Sequence, residues 1–386
     1  MIQDRRNPFL RPPLILNSIC DMESITVLYL VGRVAPTSIP LEVAQFIEDA
    51  RVRLSPVAFY KTQYSGESLE VTPVCMEAES RFDISAVHRL YRYIRQVQPD
   101  VLHVHHTMPA FWGALLGRGM MRARLVRSEH NNYVYRSPGQ RAINTVSQGL
   151  ADRVLCNSQN TYRSMEVWRR RLLGEKCSVV YNGIDVDRID RANSGDPPFE
   201  DPYDGVTVGS VGRFIDQKNY QRLVQAFAQV VERSEREGRL VLIGDGDKRE
   251  VIEKEVSRLG IQEQVVLTGE VNRDTVYAAL HAFDLFIVPS LWEGFCNAAV
   301  EAMTAGLPIV CSDIPTLREV VGDVAVYANP ERPESFTRAM GTLLEEGKKG
   351  WGKRGDEARS RALEQYSIER TAKQYVESYL QVANGG

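Results

Sequence analysis

Two carboxylates and a run of backbone amide groups lie within residues 290–306, which read S-L-W-E-G-F-C-N-A-A-V-E-A-M-T-A-G. Glu293 and Glu301 can accept hydrogen bonds from hydroxyl groups. The amides around Phe295 to Asn297 are expected at the start of a helix, where free N–H groups and the helix dipole favour phosphate. This combination suits a ligand that is part phosphate and part sugar. An ordinary strand–turn–helix with two surface acids fits the same residues equally well.

The elements that must position these groups can be predicted from the neighbouring residues. The apolar run L-F-I-V-P at 285–289 predicts a buried strand that leads into the stretch. Gly294 permits a tight turn, and residues 298–303 favour a helix for which Gly306 is a stop signal. We therefore expect a strand, a turn and a helix N-terminus in that order.

Two cations form a second candidate cluster in V-G-R-F-I-D-Q-K-N at 211–219. Arg213 and Lys218 lie in the loop that is predicted to follow the first strand of the second half of the chain. Cations in such a loop can contact a diphosphate bound at another helix N-terminus. Negative charge grows on a diphosphate as a sugar leaves it, so fixed cations there stabilise the transition state more than the ground state. A solvated charge cluster is the alternative interpretation.

Together, P-S-L-W-E-G-F-x-N-x-x-x-E-A-M-x-x-G and G-R-x-x-x-Q-K-N resemble motifs of the retaining glycosyltransferases of family 4. That family has the GT-B fold, in which two doubly wound, Rossmann-like α/β domains face a central crevice. The resemblance implies that Arg213 and Lys218 bind the diphosphate of a sugar nucleotide. It also implies that Glu301 binds the ribose hydroxyls and that Glu293, as a catalytic residue, holds a hydroxyl of the donor sugar. The donor-binding amide groups would be those of Gly294, Phe295, Cys296 and Asn297.

Four of the six histidines fall at predicted strand ends in the first half of the chain. R-S-E-H at 127–130 resembles the family's strand end that carries a histidine beside the donor sugar, so His130 is the candidate active-site residue of this half. His105 and His106 are candidates for acceptor binding, with a structural role as the alternative. We expect His103 and His105 to point to opposite faces of their strand, so that the histidines cannot all bind one metal.

Two D-x-D strings, at 185–187 and 245–247, suggest a metal site, but we do not assign one. The first lies in a predicted interdomain turn, and cations are already available for the phosphates. We therefore expect no metal and no cofactor other than the nucleoside diphosphate sugar, which is a co-substrate.

Strand and helix signals alternate along the chain, which predicts mostly parallel sheets covered by helices. In the first half, strands are predicted at 25–31, 55–60, 101–106, 123–128, 153–157 and 177–181. Helices are predicted there near 40–51, 83–97, 109–120, 138–150 and 160–172. In the second half, a helix is predicted at 219–233, and strands at 206–212, 239–243, 265–268, 285–289, 308–312 and 324–328. Ligands in such folds bind in the crevice at the carboxyl ends of the strands.

The domain organisation follows from this alternation and from the composition of the connecting segments. Residues 1–22 are interpreted as a flexible arm or a mis-assigned start, with Met22 as the candidate first residue. The acceptor-side domain is predicted at 23–190, a linker rich in Pro, Gly and Asp at 191–205, and the nucleotide-sugar-binding domain at 206–366. The resemblance further implies that the helix in 367–386 returns to the first domain.

One segment departs from the family pattern. Where members have a glycine-rich loop after the first strand, residues 32–40 read G-R-V-A-P-T-S-I-P, with one glycine and two prolines. Such a loop is stiffer and cannot approach a ligand as closely. Because this loop touches phosphate and acceptor in the family, the departure concerns the acceptor and leaves the donor site unaffected.

Composition places the chain among ordinary globular proteins. It has 386 residues with 43% hydrophobic and 25% charged residues, and its six cysteines are scattered without a C-x-x-C pair. That cysteine usage is typical of a reducing compartment, so we expect a cytoplasmic protein. No apolar run approaches the length of a membrane span. The absence of a nucleic-acid-binding motif and the net charge of −3 argue against a nucleic-acid partner.

The charge is unevenly distributed. Residues 1–190 carry 24 Lys and Arg against 19 Asp and Glu, whereas the rest of the chain carries 23 against 31. Solvated helix faces are one explanation of the basic excess in the first half. The functional alternative is attraction to an anionic membrane surface or to a phosphate-bearing acceptor. That alternative would allow peripheral association with the inner membrane face. The arginines concerned are Arg118, Arg122, Arg124, Arg127, Arg136, Arg141 and Arg169 to Arg171.

The sequence thus predicts a retaining, metal-independent hexosyltransferase. It would transfer a hexosyl or N-acetylhexosaminyl group from a nucleoside diphosphate sugar to a hydroxyl of a glycan or lipid-linked acceptor, in the synthesis of a surface polysaccharide or glycoconjugate. The motif around Trp292 resembles that of family members that use UDP-sugars more than that of GDP-mannose users, so the resemblance implies a UDP-sugar donor, with GDP-mannose second. A non-catalytic GT-B subunit that binds a sugar nucleotide is one alternative. A Rossmann oxidoreductase is another, although no strand opens into G-x-G-x-x-G.

Overall fold

The structure is a computed structural model that describes residues 24–34, 38–61, 72–121, 123–233 and 237–385. Two parallel sheets organise the described chain. The first has the strand order β3-β2-β1-β4-β5-β6-β7. Its strands are β1 (Ile25–Val31), β2 (Val52–Tyr60), β3 (Val74–Ala78), β4 (Val101–Val104), β5 (Arg124–Glu129), β6 (Arg153–Cys156) and β7 (Cys177–Val179).

The second sheet has the order β10-β9-β8-β11-β12-β13 and is also parallel throughout. Its strands are β8 (Val206–Val211), β9 (Gly238–Ile243), β10 (Val265–Gly269), β11 (Leu285–Val288), β12 (Ile309–Ser312) and β13 (Val326–Ala328). In each sheet the strand order reverses beside its first strand, between β1 and β4 and between β8 and β11. Ligands of open α/β sheets bind at such points.

Helices connect the strands and cover the sheets. In the first half they are α1 (Ile39–Gln45), α2 (Ile84–Val97), α3 (Thr107–Gly113), α4 (Pro138–Gly149), α5 (Gln159–Arg163), α6 (Val167–Leu173) and α7 (Val186–Arg191). In the second half they are α8 (Tyr220–Arg233), α9 (Arg249–Leu259), α10 (Arg273–His281), α11 (Asn297–Thr304), α12 (Pro315–Val320), α13 (Pro333–Gln365) and α14 (Ile368–Ala383). A π-helical segment, Ala114–Met120, continues α3, and α13 is interrupted at Gly347.

The strands are buried on both faces, as expected for parallel sheets between helices. Val27 to Val31 of β1 and Leu285 to Ile287 of β11 have no exposed surface. One hydrophobic cluster continues from the first sheet into the second half of the chain, and α14 contributes Tyr375 and Tyr379 to it. The last helix therefore packs against β1, β4 and β5 of the first sheet.

The predicted elements agree with the structure except in detail. The helix predicted at 40–51 ends at Gln45, and the one predicted at 160–172 is divided into α5 and α6 around Met165. The short strand β3 was not predicted. The boundaries proposed for the domains and the linker stay predictions. The arm at residues 1–22 with Met22, and positions 35–37 of the unusual loop, lie outside the described residues. None of the helices that the structure describes is both long and apolar enough to cross a membrane.

Candidate active site

Residues 285–304 form the predicted strand–turn–helix. The chain leaves β11 at Val288, turns at Gly294 and enters α11 at Asn297. Cys296 precedes the helix with φ 79° and ψ 75°, a left-handed conformation that costs energy for a residue with a Cβ, and its side chain does not cap the helix. Burial raises the pKa of its thiol to about 12, so the thiol is neutral at pH 7. The Ala299 amide donates to the Cys296 carbonyl at 3.1 Å, so the amides of Asn297 and Ala298 are the ones at the start of α11 that a ligand can bind.

Glu293 is buried, and both of its carboxylate oxygens accept hydrogen bonds. Oε1 lies 2.6 Å from Lys218 Nζ and 2.8 Å from Ser290 Oγ, and Oε2 lies 3.3 Å from Gln217 Nε2. Burial alone would lower the pKa of Lys218, but the Glu293 carboxylate raises it above its ordinary value. The structure thus brings together two residues that the sequence assigned to one donor site.

Arg213 also lies at this end of the sheet, directly after β8. Its side chain is exposed and forms no ion pair within the part of the chain that the structure describes. Lys218 follows it across a short 3₁₀ turn, Asp216–Lys218, which Asn219 ends in the left-handed conformation. The loop therefore presents one ammonium group that is already paired and one guanidinium group that is available to a ligand.

Glu301 is buried about one turn into α11 and contacts a partner that the sequence did not reveal. Its Oε1 accepts a hydrogen bond from Arg273 Nη2 at 2.5 Å. The same Arg273 nitrogen lies 3.5 Å from Glu42 Oε2, and Glu42 Oε1 lies 3.1 Å from Arg188 Nη1. Burial raises the pKa of Glu42 although both guanidinium groups oppose that rise. A network of buried charges therefore joins the proposed ribose-binding residue to α1 of the first sheet's domain.

His130 lies at the carboxyl end of β5 and faces the donor loop. Its carbonyl oxygen is so close to Gly294 that a Cβ built on this glycine would lie only 2.1 Å from it. Its ring Nε2 lies 3.0 Å from His105 Nδ1. Burial lowers the pKa of His130 to about 3, so the ring is neutral at pH 7.

The orientation of His103 and His105 differs from the prediction, and the burial of His105 bears on its predicted role in acceptor binding. His103 and His105 do not point to opposite faces: their ring centroids are 4.2 Å apart, because residues two apart on a strand share a face. His105 is fully buried and has no surface for an acceptor, so its contacts fit the structural role that the sequence left as the alternative. His106 is exposed, and its backbone has φ 62° and ψ 162°. Its Nδ1 accepts a hydrogen bond from Gly32 N at 3.1 Å.

The two halves of the chain meet around the donor loop through contacts that the sequence did not predict. Asn132 Nδ2 donates to the Glu293 carbonyl at 2.7 Å, and Ser158 Oγ donates to the Gly294 carbonyl at 2.7 Å. The rings of Tyr135 and Trp292 stack with their centroids 4.5 Å apart. These contacts hold the donor loop that carries Glu293 against the carboxyl end of β5, where His130 lies.

The arginine-rich segment is not uniformly solvated, because two of its arginines are buried and most of the others form ion pairs. Arg127 and Arg169 are buried, and Arg127 donates to Glu129 at 2.7 Å. Burial alone would raise the pKa of Glu129, but Arg127 and Arg136 lower it to about 2. Arg118 and Arg124 pair with Asp152, and Arg141 pairs with Glu166. Arg122 lies outside the described residues, and Arg171 on α6 remains exposed.

The D-x-D strings have structural roles at their first residues. The Asp185 carboxylate caps α7 by accepting from Arg188 N, and Asp245 accepts from Gly246 N and lies 3.3 Å from Arg249. Among the residues that the structure describes, no group of three His, Cys, Asp or Glu side chains could hold a metal ion.

Comparison with known proteins finds relatives of both halves of the chain. The profile of the family described as "Glycosyl transferases group 1" matches residues 198–360, and that of "Glycosyltransferase Family 4" matches residues 49–188. An uncharacterized glycosyltransferase of Methanocaldococcus jannaschii is 29% identical over 312 residues, which are 72% of this chain and 75% of that protein.

Two further relatives have names that state their reactions. N-acetylgalactosamine-N,N'-diacetylbacillosaminyl-diphospho-undecaprenol 4-alpha-N-acetylgalactosaminyltransferase of Campylobacter jejuni is 28% identical over 58% of this chain and 60% of its own length. UDP-Gal:alpha-D-GlcNAc-diphosphoundecaprenol alpha-1,3-galactosyltransferase of Escherichia coli is 24% identical over 66% of this chain and 68% of its own length.

Solved structures share the fold at low sequence identity. Sucrose-phosphate synthase from Thermosynechococcus elongatus superimposes with a TM-score of 0.76 and 18% identity, covering 94% of this chain and all of that one. Anabaena HepE, solved with UDP, gives a TM-score of 0.74 and 18% identity, covering 92% of this chain and all of that one. The predicted fold is therefore confirmed, and the chain belongs to the group 1 and family 4 glycosyltransferases with the GT-B fold.

Proposed function

We propose that this protein is a retaining glycosyltransferase that transfers a hexosyl or N-acetylhexosaminyl group from a nucleoside diphosphate sugar to an acceptor hydroxyl. The observation that supports it most is the meeting of the donor loop with His130 across one crevice, where Glu293 and the Gly294 backbone face the carboxyl end of β5. Glu293 and His130 are the proposed catalytic residues.

The proposed donor site uses the charged groups at the carboxyl end of the second sheet. The α11 amides, Lys218 and Arg213 would bind the diphosphate, and Glu301 would bind the ribose hydroxyls. As the bond to the sugar breaks, negative charge grows on the leaving diphosphate. Cations already held in place stabilise that charge without reorganisation. No metal ion is needed in this proposal, because Lys218 and Arg213 supply the positive charge.

The protonation states in the crevice support transfer on one face of the sugar. Burial lowers the pKa of His130 to about 3, so the ring is neutral at pH 7 and is a weak base. Glu293 is already engaged by Lys218, Ser290 and Gln217. In the proposed reaction the acceptor oxygen forms the new bond to the anomeric carbon, the bond to the diphosphate breaks, and a diphosphate oxygen takes the acceptor proton. Closure of the crevice excludes water and so limits hydrolysis of the donor.

We propose a UDP-sugar as the donor, with GDP-mannose as the second candidate. The donor loop W-E-G-F-C-N supports this choice, as does the Escherichia coli relative whose name specifies UDP-Gal. Two relatives named for diphospho-undecaprenol-linked substrates support a lipid-linked or glycan acceptor. The nucleotide sugar and the acceptor are therefore the proposed partners.

A lipid-linked acceptor implies contact with a membrane surface, and α6 offers a suitable face. Val167, Trp168 and Leu172 are more than half exposed there, and Arg171 lies on the same side. Apolar side chains beside an arginine suit an anionic lipid surface. Vesicles with anionic lipid should bind the wild type at low salt, whereas Trp168→Ser with Leu172→Ser should bind more weakly. Equal binding by both proteins would remove α6 from the proposal.

The experiment that tests the proposed function is a donor panel. UDP-, GDP-, ADP- and dTDP-sugars are screened by thermal shift and slow donor hydrolysis against the wild type, Glu301→Ala and Glu364→Ala, in which an exposed glutamate of α13 is removed. We expect one nucleotide class to stabilise the wild type and Glu364→Ala, to be hydrolysed slowly by both, and to lose both effects in Glu301→Ala. Stabilisation without hydrolysis or transfer would favour a non-catalytic sugar-nucleotide-binding subunit. Absence of any shift would contradict the donor site.

A further inference from the structure

Two buried polar atoms behind His130 have no hydrogen-bond partner within the described part of the chain. They are Tyr29 Oη on β1 and His105 Nε2, just beyond β4. Both side chains are fully buried, and their ring centroids lie 4.5 Å apart. An unpaired buried polar atom costs about 1–3 kcal/mol, so two such atoms side by side call for an explanation.

The other ring nitrogen of His105 provides the link to the crevice. His105 Nδ1 lies 3.0 Å from His130 Nε2, so one of these nitrogens carries a hydrogen and the other a lone pair. Burial lowers the pKa of His105 well below its ordinary value and that of His130 to about 3. Both rings are therefore neutral at pH 7, and each carries a single N–H group.

The hydrogen inventory favours one of the two tautomer pairs. Tyr29 Oη and His105 Nε2 share no direct hydrogen bond, so a link between them runs through a bridging water. If His105 donates from Nδ1, its Nε2 is a lone pair that accepts from the water, the tyrosine hydroxyl donates to the water, and one water hydrogen is left without an acceptor. If His130 donates instead, His105 Nε2 carries a hydrogen, and two of the hydrogens of the water and the tyrosine hydroxyl are left without acceptors. Neighbouring His103 offers no acceptor, because its ring nitrogens already contact Tyr379 Oη and Ser128 Oγ. Buried hydrogens without acceptors are the rarer defect in proteins.

The first arrangement also defines the free nitrogen of His130. Its Nε2 is occupied by His105, whereas Nδ1 has no partner within the described residues and is not among the buried unpaired atoms there. His130 is only partly buried, so Nδ1 is the ring atom that a ligand in the crevice can reach.

We propose that His105, with Tyr29 behind it, is a positioning residue that holds His130 as the Nδ1–H tautomer, so that Nδ1 donates a hydrogen bond to the donor sugar. Tyr29 Oη and His105 Nε2 share no direct hydrogen bond, and one buried water between them completes the chain. The inference rests on the proposed function, because it assigns His130 to the donor sugar. His105 itself touches no substrate and acts through His130.

The tautomer can be measured without any substrate. In protein labelled with ¹⁵N-histidine, long-range ¹H–¹⁵N correlation spectra distinguish the two neutral tautomers, and the His130 signals are assigned by their loss in His130→Gln. We expect the Nδ1–H form in the wild type at pH 7. His105→Asn should keep it, because the asparagine amide nitrogen lies the same number of bonds from the backbone as His105 Nδ1. His105→Phe should lose it. His130 in the Nε2–H form in the wild type would overturn the proposal.

Transfer kinetics provide a second test. We expect His105→Phe to lower kcat by about 10- to 100-fold with the donor KM nearly unchanged, by analogy with the groups that orient a metal-binding histidine through a hydrogen bond. His105→Asn should restore most of the activity, and Tyr29→Phe should lie between the two. Wild-type kcat in His105→Phe would contradict the proposal. If His105→Phe does not fold, the spectra of the other two variants decide. The proposal is supported if His130 stays in the Nδ1–H form in His105→Asn and leaves it in Tyr29→Phe. Any other pair of spectra contradicts the proposal. A wild type without transfer activity would refute the proposed function but would leave the spectra valid.

Discussion

Lys218 Nζ and Glu293 Oε1 lie 2.6 Å apart, in loops separated by 75 positions of sequence. The pair joins the two motifs that the sequence assigned to donor binding. It also compensates two buried charges, since the side chain of Lys218 is 17% exposed and that of Glu293 is 8% exposed. A diphosphate bound at Lys218 would share its ammonium with Glu293.

A double-mutant cycle of Lys218→Met and Glu293→Gln measures this coupling. Removal of either partner leaves the other charge buried without compensation, so each single variant should unfold at a lower temperature, with a loss of about 3–5 kcal/mol in the free energy of unfolding. The double variant should lose less than the sum of the two. All three variants should lose transfer activity, by about 100-fold or more in kcat/KM. Additive losses of stability would show that the two residues are not coupled.

Glu301 should discriminate between nucleotides with and without a ribose 2′-hydroxyl. Its carboxylate is held by Arg273 at 2.5 Å, which fixes its orientation. Calorimetric titration of the wild type should give weaker binding of 2′-deoxy-UDP than of UDP, by about 10-fold, which corresponds to one lost hydrogen bond to a charged group. Glu301→Ala should bind both weakly and equally. Arg273→Gln should retain part of the discrimination, and the exposed-site variant Glu364→Ala should retain all of it. Unchanged discrimination in Glu301→Ala would contradict the assignment.

Gly294 should tolerate no side chain, because the His130 carbonyl lies against it. A Cβ at this position would lie 2.1 Å from that oxygen, so Gly294→Ala should separate the donor loop from the first sheet. Misplacement on this scale lowers transfer by about 100-fold. Nucleotide binding should be less affected, because Arg213, Lys218 and Glu301 all belong to the second half of the chain. Gly341→Ala on α13 is the control, since no atom lies within 4 Å of its added Cβ. Equal activity of the two variants would contradict the closed geometry.

The protein should lose stability as the pH falls from 6.5 to 5. Burial lowers the pKa of His103 well below its ordinary value, whereas a histidine in the unfolded chain has a pKa of about 6.5. The unfolded chain therefore binds more protons in this window, and the stability that is present above pH 6.5 decreases as the pH falls. The loss is about 2 kcal/mol at pH 5 for each histidine that stays neutral in the folded state. Glu129 does not contribute, because its pKa of about 2 and its unfolded value of about 4.3 both lie below this window.

Melting temperatures at pH 7.5 and pH 5.0 check this prediction. The wild type and His88→Asn, which alters an exposed histidine, should show the full decrease. His103→Asn should be less stable at both values but should lose less between them. The same decrease in His103→Asn as in the wild type would show that His103 is not the source.

The elements that were predictable from the sequence are those with a strong local signal. The apolar runs of β1 and β11 predicted buried central strands, and Gly294 and Gly306 marked the turn and the end of α11. β3 was missed because its five residues include a glutamate at a left-handed position and lack a continuous apolar run.

The residues that sequence reasoning missed are defined by partners far along the chain. Asn132 lies 161 positions from Glu293, whose carbonyl it contacts, and nothing local in N-N-Y indicates that contact. Arg273 gave no signal either, because a charged residue at the start of a helix is ordinary on a surface. The arginine cluster was misjudged for the converse reason: Arg127 and Arg169 fill the interior, where side-chain partners satisfy their guanidinium groups.

The most direct test of the account is the anomeric configuration of the first product. The enzyme is mixed with the nucleotide sugar identified by the donor panel and a short diphosphate-linked glycolipid, and ¹H NMR follows the anomeric proton during the reaction. We predict that an α-linked donor gives an α-linked product and that Glu293→Gln slows its appearance by at least about 100-fold. A β-linked product, or transfer at the wild-type rate in Glu293→Gln, would contradict this prediction.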